Sequence, residues 1–199
     1  MEQSLLDFLR ESGFSEEDHL KAIDLAFTIY SQFLNKWNQA INLISRAGPS
    51  LDHHLFDSLQ YMKVVPREGR FLDIGSGAGF PGVPIKIVLP NVQMVLLESQ
   101  RKRANFLKSL IRALNLEDIR VIHNRAENLH QELRSIKCFD VVLFRGVGEP
   151  EICLSLGEPF LKTGGFLILK QAIDFVCTRE SKKMEMEREI QVEGLKGEP

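Results

Sequence analysis

Cysteine is scarce in this chain and long apolar runs are missing, and these shortages argue against a zinc-binding protein and a membrane-spanning protein. The three cysteines, Cys138, Cys153 and Cys177, are too widely spaced for a zinc site. We expect them to be reduced thiols of a cytoplasmic protein. No apolar stretch approaches the length of a bilayer-spanning helix. The N-terminal residues 1–4 lack the basic and then apolar pattern of a secretory signal, so we expect no membrane partner.

An excess of one charge is also missing. The 25 Lys and Arg residues against 27 Asp and Glu residues leave a formal net charge of -2. That charge gives no general attraction to nucleic acid, so DNA is not expected as a partner and any RNA contact must come from local basic patches. The 199 residues, 44% of them hydrophobic, suit a soluble protein with one well-buried core.

The first third of the chain has the hydrophobic period of helices. Apolar and aromatic residues recur every three or four positions from Ile23 to Ile41, which predicts a long amphipathic helix. Shorter helices are predicted at 4–12 and 51–61. We therefore expect residues 1–66 to form an N-terminal helical segment packed on the core, followed by one domain at 67–199.

From residue 71 the pattern changes to alternating strands and helices. Strands are predicted at 71–74, 93–98, 119–123, 139–144 and 166–170. Helices are predicted at 84–89, 102–114 and 149–161. This alternation predicts an α/β fold, in which a mostly parallel, twisted sheet carries helices on both faces.

The C-terminal region is harder to assign. Residues 177–189 are dense in charge, which favours a solvated helix or a disordered segment. Only 189–195 has a strand-like pattern. We therefore expect one strand here and a missing final strand, with a sheet edge left open or covered by another chain.

A glycine-rich segment after the first predicted strand is the main functional signal. Four glycines, Gly75, Gly77, Gly79 and Gly82, fall within eight residues, where the backbone could approach a ligand closely. The spacing also matches a dinucleotide fingerprint, but Asp73 just before the loop would repel a diphosphate. A cationic ligand without phosphate, S-adenosylmethionine (AdoMet), suits that carboxylate better. Asp73 could instead cap the turn.

Glu98 ends the second predicted strand, where a carboxylate can accept hydrogen bonds from the two hydroxyls of a ribose. Dinucleotide-binding proteins and AdoMet-binding proteins both use such a carboxylate. A purely structural role for Glu98 stays open.

Several motifs together resemble the GidB/RsmG family of AdoMet-dependent methyltransferases, which have a Rossmann-like fold. The similarity extends from about Asn35 to Lys170, and its most specific part is Gly79-Phe80-Pro81-Gly82-Val83-Pro84. The other matching stretches are Asn42-Leu43-Ile44-Ser45, His54-x-x-Asp57-Ser58, Leu97-Glu98-Ser99, Lys102-Arg103, Phe106-Leu107, Arg125-Ala126-Glu127 and Phe139-Asp140 leading to Arg145. Phe144-Arg145-Gly146 stands where the family often has Ser-Arg-Ala.

The resemblance implies methylation of guanine N7 in the 16S ribosomal RNA of the small subunit. The substrate could be naked RNA or the ribosomal particle, and we expect the protein to be a monomer. It also implies site residues. Gly75 and Gly77 would contact the methionine half of AdoMet, Phe80 would lie against it, and Glu98 would hold the ribose. Ala126 and Glu127 would flank the adenine, and Arg145 would lie near the cofactor and the target base. The full set of expected cofactor-binding residues is Asp73, Gly75, Gly77, Phe80, Glu98, Ala126, Glu127 and Arg145.

Motifs of other methyltransferase classes are missing from the end of the fourth predicted strand. There is no Asp/Asn-Pro-Pro-aromatic motif, which binds the amino group in amino-directed methyltransferases. Ring-carbon methyltransferases need a cysteine nucleophile in the pocket, but Cys138 precedes this strand rather than following it. Guanine N7 has a lone pair and no proton, so its methylation depends on alignment. We therefore predict no general base and no metal, and assign Arg145 to positioning. Arg145 could alternatively form a salt bridge with a nearby acid such as Glu149.

Basic side chains offer candidate RNA contacts. Arg101, Lys108 and Arg112 share one helix face, which either meets phosphates or is only a solvated face. Arg125, Arg145 and Lys170 lie at strand ends and are better candidates. His53 and His54 are expected to pack or cap, and the role of Asn42 stays open. A nicotinamide-dependent oxidoreductase and a non-catalytic AdoMet- or RNA-binding relative are the alternative functions.

Overall fold

The computed structural model describes residues 3–45, 47–132, 138–170, 175–179 and 191–193. The helices are α1 (Gln3–Glu11), α2 (Glu17–Asn38), α3 (Leu51–Leu59), α4 (Gly82–Val88), α5 (Arg101–Ala113), α6 (Ala126–Glu132) and α7 (Pro150–Gly157). Short 3-10 turns follow α3 at Gln60–Lys63 and α7 at Glu158–Phe160. The strands are β1 (Gly69–Ile74), β2 (Val92–Glu98), β3 (Ile119–His123), β4 (Phe139–Arg145), β5 (Leu161–Lys170), β6 (Phe175–Arg179) and β7 (Gln191–Glu193).

The strands of the described residues belong to one sheet in the order β3-β2-β1-β4-β5-β6-β7. The first five run parallel, and β6 and β7 pair antiparallel. The chain moves outward from β1 to β3 and then returns to the other side of β1 with β4. The loops after β1 and β4 therefore diverge at the carboxyl edge and leave a crevice, which is where open α/β sheets bind ligands.

Alternate residues of β1 enter different cores. Phe71 packs with the N-terminal helices, α4 and α5, while Leu72 packs on the opposite face with residues of α6 and α7. The predicted α/β fold with helices on both faces is confirmed. The N-terminal helices share a continuous hydrophobic cluster with the sheet, in which Tyr30 of α2 and Phe106 of α5 are fully buried.

The prediction of a missing final strand is wrong. Both β6 and β7 continue the sheet beyond β5. The charged tail was placed from residue 177, but 177–179 belong to β6, whose backbone pairs with β5 from Phe166 to Lys170. Backbone pairing with a neighbouring strand stabilises an extended segment even where the side-chain pattern is weak. The rest of the expected tail, 180–189, lies outside the described residues.

The fifth strand also begins earlier than predicted. It starts at Leu161 rather than at residue 166, and it includes Thr163-Gly164-Gly165. A register shift between Phe139 and Val141 accommodates this irregular first half of the strand. Within the described ranges, no helix combines the length and the apolar character that crossing a bilayer requires.

Candidate functional site

The glycine loop joins β1 to α4 at the carboxyl edge of the sheet. Gly75, Gly77 and Gly79 have φ values of 76°, 53° and 101°, which L-residues with a side chain rarely adopt. Hydrogen bonds fold the loop back on the protein. The N–H groups of Gly75 and Ser76 donate to Leu97 O at 2.8 and 3.2 Å, and Gly79 N donates to Ser76 O at 2.6 Å.

The glycines serve different purposes. A Cβ at Gly79 would lie 2.8 Å from Tyr30 Oη, and one at Gly82 would lie 2.6 Å from Leu96 Cδ2. A Cβ at Gly75 would lie 2.7 Å from Val147 Cγ2. These three glycines are therefore explained by packing within the protein. A Cβ at Gly77 would have only Gly75 O nearby, at 3.7 Å, so this is the glycine whose face is open to a ligand.

Asp73 lies inside the protein beneath the loop. Its side chain is fully buried, and Oδ2 accepts a hydrogen bond from Gly82 N at 3.1 Å. Asp73 therefore does act as a cap of the following turn, the alternative left open by the sequence. Burial raises the pKa of Asp73 to about 7. Oδ1 is buried too and has no hydrogen-bond partner among the described residues, which leaves one acceptor for a polar group.

Glu98 connects the end of β2 to the loop. It is almost fully buried, and its Oε2 accepts from Gly77 N at 2.9 Å while Oε1 accepts from Gln100 N at 2.7 Å. A carboxylate oxygen has more than one lone pair, so each oxygen keeps acceptor capacity for a further donor. Glu98 is thus both a structural brace of Gly77 and an available acceptor at the loop.

Phe80 lies in an aromatic cluster at the end of the loop. Its ring centroid is 5.5 Å from that of Tyr30 and 5.3 Å from that of His54, and the Arg145 guanidinium carbon is 5.3 Å from it. Tyr30 also donates its hydroxyl to Ala78 O at 2.6 Å. Burial raises the pKa of Tyr30, so this hydroxyl stays protonated and keeps donating.

Arg145, at the end of β4, is held by residues of α3. Its Nε donates to Asp57 Oδ2 at 2.8 Å, and its Nη2 lies 2.8 Å from His54 Nδ1. Asp57 Oδ1 forms a second ion pair with Lys170 at the end of β5. The alternative of a salt bridge with a nearby acid is confirmed, and the acid is Asp57 rather than Glu149. We name Asp57, His54, Arg145 and Lys170 the rim cluster.

The other expected site residues are more dispersed. Ala126 is buried and Glu127 is exposed at the start of α6, near the carboxyl edge of β3. Arg125 just before them is exposed. Asn42 is exposed, and its carbonyl oxygen accepts from Arg103 Nη2 at 3.2 Å.

The basic side chains of α5 face outward. Arg101, Lys108 and Arg112 are all exposed, and the helix packs on the protein through Phe106, Leu107 and Leu110. Their exposure fits both a solvated face and a phosphate-binding one. Metal ligands do not gather in the described part of the chain, since no group of three His, Cys, Asp or Glu residues is placed to hold an ion.

A recess at the opposite edge of the sheet has a volume of about 660 Å³. Its walls come from the beginnings of strands, among them Gly69, Gln93 and Asp140. Arg70 N donates to Asp140 Oδ2 at 2.8 Å, and Lys162 pairs with the same carboxylate. The charges there neutralise one another, and the glycine loop is not part of this recess.

Sequence reasoning missed the link between α3 and the sheet. Tyr30 lies within the predicted helix from Ile23 to Ile41 without a role of its own, and Tyr61, which donates to Phe144 O at 2.7 Å, has none either. The sequence predicts only packing or capping for His54 and no function for Asp57. Asp57 is a polar residue three positions after His54, so the two side chains share one face of the predicted helix. This spacing was the sequence signal that indicated a joint role.

Comparison with known proteins gives the family. The family model described as rRNA small subunit methyltransferase G (GidB) matches residues 24–198. A ribosomal RNA small subunit methyltransferase G of Dictyoglomus thermophilum is 43% identical over 146 residues, 71% of this chain. The chain spans only 61% of that relative's length. The homonymous protein of Alkaliphilus metalliredigens is 35% identical over 84% of this chain and 70% of its own length.

A solved structure shows the same fold. A Plasmodium falciparum protein described as a protein-L-isoaspartate O-methyltransferase, in complex with S-adenosyl-L-homocysteine, aligns with a TM-score of 0.51 and 21% identity. The alignment covers 95% of this chain and 94% of that one. With the family model matching most of the sequence, the resemblance read from the motifs is confirmed. The chain belongs to the GidB family of rRNA small subunit methyltransferases.

Proposed function

We propose that this chain transfers a methyl group from AdoMet to N7 of a guanine in 16S ribosomal RNA. The substrate is the RNA alone or the small ribosomal particle, and the enzyme acts as a cytoplasmic monomer. The choice of cofactor rests on one observation: backbone N–H groups of the glycine loop already donate hydrogen bonds within the protein. Gly75 and Ser76 donate to Leu97 O, Gly77 donates to Glu98, and Gly82 donates to Asp73.

A diphosphate needs bare N–H groups at such a loop. Here these donors are already engaged, and two of them are engaged by carboxylates that would repel a diphosphate. A ligand with a sulfonium and an ammonium group is favoured instead, because Glu98, and Asp73 where it is ionised above its pKa of about 7, put negative charge below the loop. This electrostatic contrast disfavours a nicotinamide cofactor and supports AdoMet.

The residues present fit AdoMet in kind. Gly77 offers an open backbone face, Glu98 keeps acceptor capacity for ribose hydroxyls, and buried Asp73 Oδ1 lacks a hydrogen-bond partner within the described residues. We assign binding to Asp73, Gly75, Gly77, Phe80, Glu98, Ala126, Glu127 and Arg145. AdoMet supplies, when bound, a methyl group on a positively charged sulfur, which a lone pair can attack.

The protein's part in the reaction is alignment. Guanine N7 carries no proton, so no side chain has to remove one, and the energetic gain comes from holding base and methyl donor in line. Arg145 is already engaged by Asp57, which keeps its guanidinium charged and fixed beside Phe80. We assign Arg145 to positioning the base, with no proton transfer.

The decisive experiment is transfer of tritiated methyl to ribosomal RNA from cells that lack the modification, followed by mapping of the labelled base. Label at N7 of one guanine in 16S RNA is the expected result. Label elsewhere would replace the assignment, and no label despite AdoMet binding would favour a non-catalytic relative. Thermal unfolding with AdoMet, S-adenosylhomocysteine and NAD tests the cofactor separately, and stabilisation by NAD alone would reject the proposal.

A further inference from the structure

The rim cluster brings together polar side chains from three elements. His54 and Asp57 lie three residues apart on α3 and so share a face, Arg145 ends β4, and Lys170 ends β5. Asp57 receives both cations, one on each carboxylate oxygen. Two cations against one carboxylate leave the cluster with a net positive charge. It stands beside Phe80 of the glycine loop, on the carboxyl edge where a substrate would meet the cofactor.

The contact between Arg145 and His54 fixes the position of the imidazole proton. A guanidinium only donates hydrogen bonds, so His54 Nδ1, 2.8 Å from Arg145 Nη2, has to be the acceptor. Burial, with a smaller effect of the Arg145 charge, lowers the pKa of His54 to about 4, so the ring is neutral at neutral pH. Its hydrogen therefore sits on Nε2, and Nε2 has no hydrogen-bond partner among the described residues.

Arg145 also has hydrogen-bond donors that these contacts do not engage. Its Nε donates to Asp57 and its Nη2 donates to His54, and the contacts within the described residues leave the two hydrogens of Nη1 available. The Arg145 side chain is 19% exposed, so this edge can be reached from outside. The His54 ring and the Arg145 guanidinium both pack on Phe80, which holds the two groups together. Because Nδ1 faces Arg145, the Nε2–H bond on the far side of the imidazole points away from the guanidinium. His54 Nε2 and Arg145 Nη1 are therefore separate donors that face different directions, and His54 Nε2–H is the one whose direction this contact fixes.

We propose that His54 Nε2–H, held in place by Arg145 and Asp57, binds the O6 carbonyl oxygen of the target guanine and so selects guanine over adenine. The inference rests on the proposed function. The edge of guanine that carries N7 presents two acceptors, O6 and N7. N7 needs its lone pair for the methyl group, so the His54 donor serves O6. Adenine presents an amino group in place of O6, and donor would face donor.

Base analogues at the mapped target position test the proposal. Inosine keeps O6 and loses the 2-amino group, whereas 2-aminopurine keeps the amino group and loses O6. We expect the wild type to methylate the inosine RNA with kcat/KM close to that of the guanosine RNA. It should methylate the 2-aminopurine RNA about tenfold less well or worse, the discrimination expected of a good hydrogen-bonded contact.

Variants assign the discrimination to residues. His54→Phe keeps a ring on Phe80 but loses the donor, and should shrink the guanosine preference. His54→Gln keeps an N–H donor and should retain part of it. His53→Phe alters the exposed neighbour and should leave the preference unchanged. If His54→Phe slows all three RNAs by one factor, the His54 donor serves a phosphate and the proposal is overturned, while methyl transfer itself stands.

A measurement on the protein alone needs neither RNA nor cofactor. Nitrogen-15 NMR of labelled histidine distinguishes the two neutral tautomers, and we expect the Nε2–H form for His54. The Nδ1–H form would overturn the proposal, because Arg145 could not then donate to Nδ1. Absence of methyl transfer to every RNA, with the expected tautomer present, would instead remove the proposed function and this inference with it.

Discussion

Asp73 Oδ2 accepts a hydrogen bond from the backbone N–H of Gly82 at 3.1 Å, so one buried carboxylate joins the end of β1 to the start of α4. The same group is the strongest candidate for attracting a cationic ligand. The capping role needs only an acceptor atom, while attraction needs the charge. The two roles can therefore be separated by a substitution that keeps the shape of the side chain.

Asp73→Asn should raise stability at alkaline pH and weaken AdoMet binding. The pKa of Asp73 is raised by burial to about 7, so the folded state favours the protonated acid. Its contribution to stability is present below the unfolded pKa of about 4 and is lost as pH rises through 7. The Tm of the variant should exceed that of wild type by a margin that grows as pH rises from about 4 to about 7. Calorimetric titration should show weaker AdoMet binding at pH 8 than wild type.

The pH series supplies the control for this variant. At pH 5.5 the wild-type carboxyl is mostly neutral, so the two proteins should bind AdoMet more nearly alike. Equal AdoMet affinity of both proteins at pH 8 would mean that Asp73 acts only as a cap.

Gly77→Ala should keep the fold and lose cofactor affinity. A Cβ there meets nothing closer than Gly75 O at 3.7 Å, so the cost to folding is the strain of a positive φ, about 1 kcal/mol. Gly164→Ala is the matched control, since its φ is 81° and no atom lies within 4 Å of its Cβ. Both variants should lose similar stability in thermal unfolding, but only Gly77→Ala should lose AdoMet affinity.

Gly75 is a poorer site for this test, because a Cβ there already collides with Val147 in the protein alone. If Gly77→Ala bound AdoMet as tightly as Gly164→Ala does, the ligand would not lie on this face of the loop.

Arg145→Ala should impair methyl transfer far more than cofactor binding. Loss of a group that positions the base costs on the order of 100-fold in rate. Arg145→Lys keeps a charge but cannot reach Asp57 and His54 with one rigid group, so it should be impaired as well. Single-turnover rates and AdoMet titrations measure the two effects. Arg120→Ala, an exposed residue of β3, serves as control.

A parallel fall in rate and in AdoMet affinity after Arg145→Ala would assign this residue to the cofactor alone.

Tyr30→Phe tests the support of the glycine loop. The Tyr30 hydroxyl is buried and donates to Ala78 O at 2.6 Å, so its removal leaves that carbonyl without its donor. We expect a loss of about 1–2 kcal/mol in the free energy of unfolding, with a smaller loss of AdoMet affinity as the loop loosens. Urea unfolding measures the first and calorimetry the second. An unchanged midpoint would show that water replaces the hydroxyl at no cost.

The basic face of α5 can be tested by salt dependence. If Lys108 and Arg112 meet phosphates, replacing both by Gln should lower the slope of log affinity for RNA against log salt by about 0.7 to 0.9 per contact. Lys21→Gln removes a similarly exposed cation from α2 and should leave the slope unchanged. A slope equal to wild type in the double variant would mean that this face is only solvated.

Much of the fold could be predicted because its signals are local. The strand β3 was predicted with its observed bounds, Ile119–His123, and β1, β2 and β4 within a few residues, since buried parallel strands are short apolar runs between turn residues. Strand β6 was missed because its extended conformation depends on pairing with β5 and β7, and its apolar residues run into a charged segment. Helix α3 was predicted too long, as its last turn tightens into a 3-10 helix at Gln60.

The position of the candidate site also followed from the sequence, since the glycine loop and Glu98 both follow strands whose carboxyl ends share one edge. The side chains that pair with one another at this site could not be predicted from the sequence. Asp57 and Arg145 are 88 residues apart, and their pairing depends on where α3 packs against the end of β4.

Sequence alone determined the parallel α/β architecture, the place of the glycine loop and the family, because hydrophobic period and turn residues act over a few positions along the chain. Only the tertiary structure decided that Asp73 caps Gly82, that Gly77 is the glycine with an open face, and that Asp57 holds both Arg145 and Lys170. These facts depend on distances between elements remote in sequence, which packing of the whole core sets.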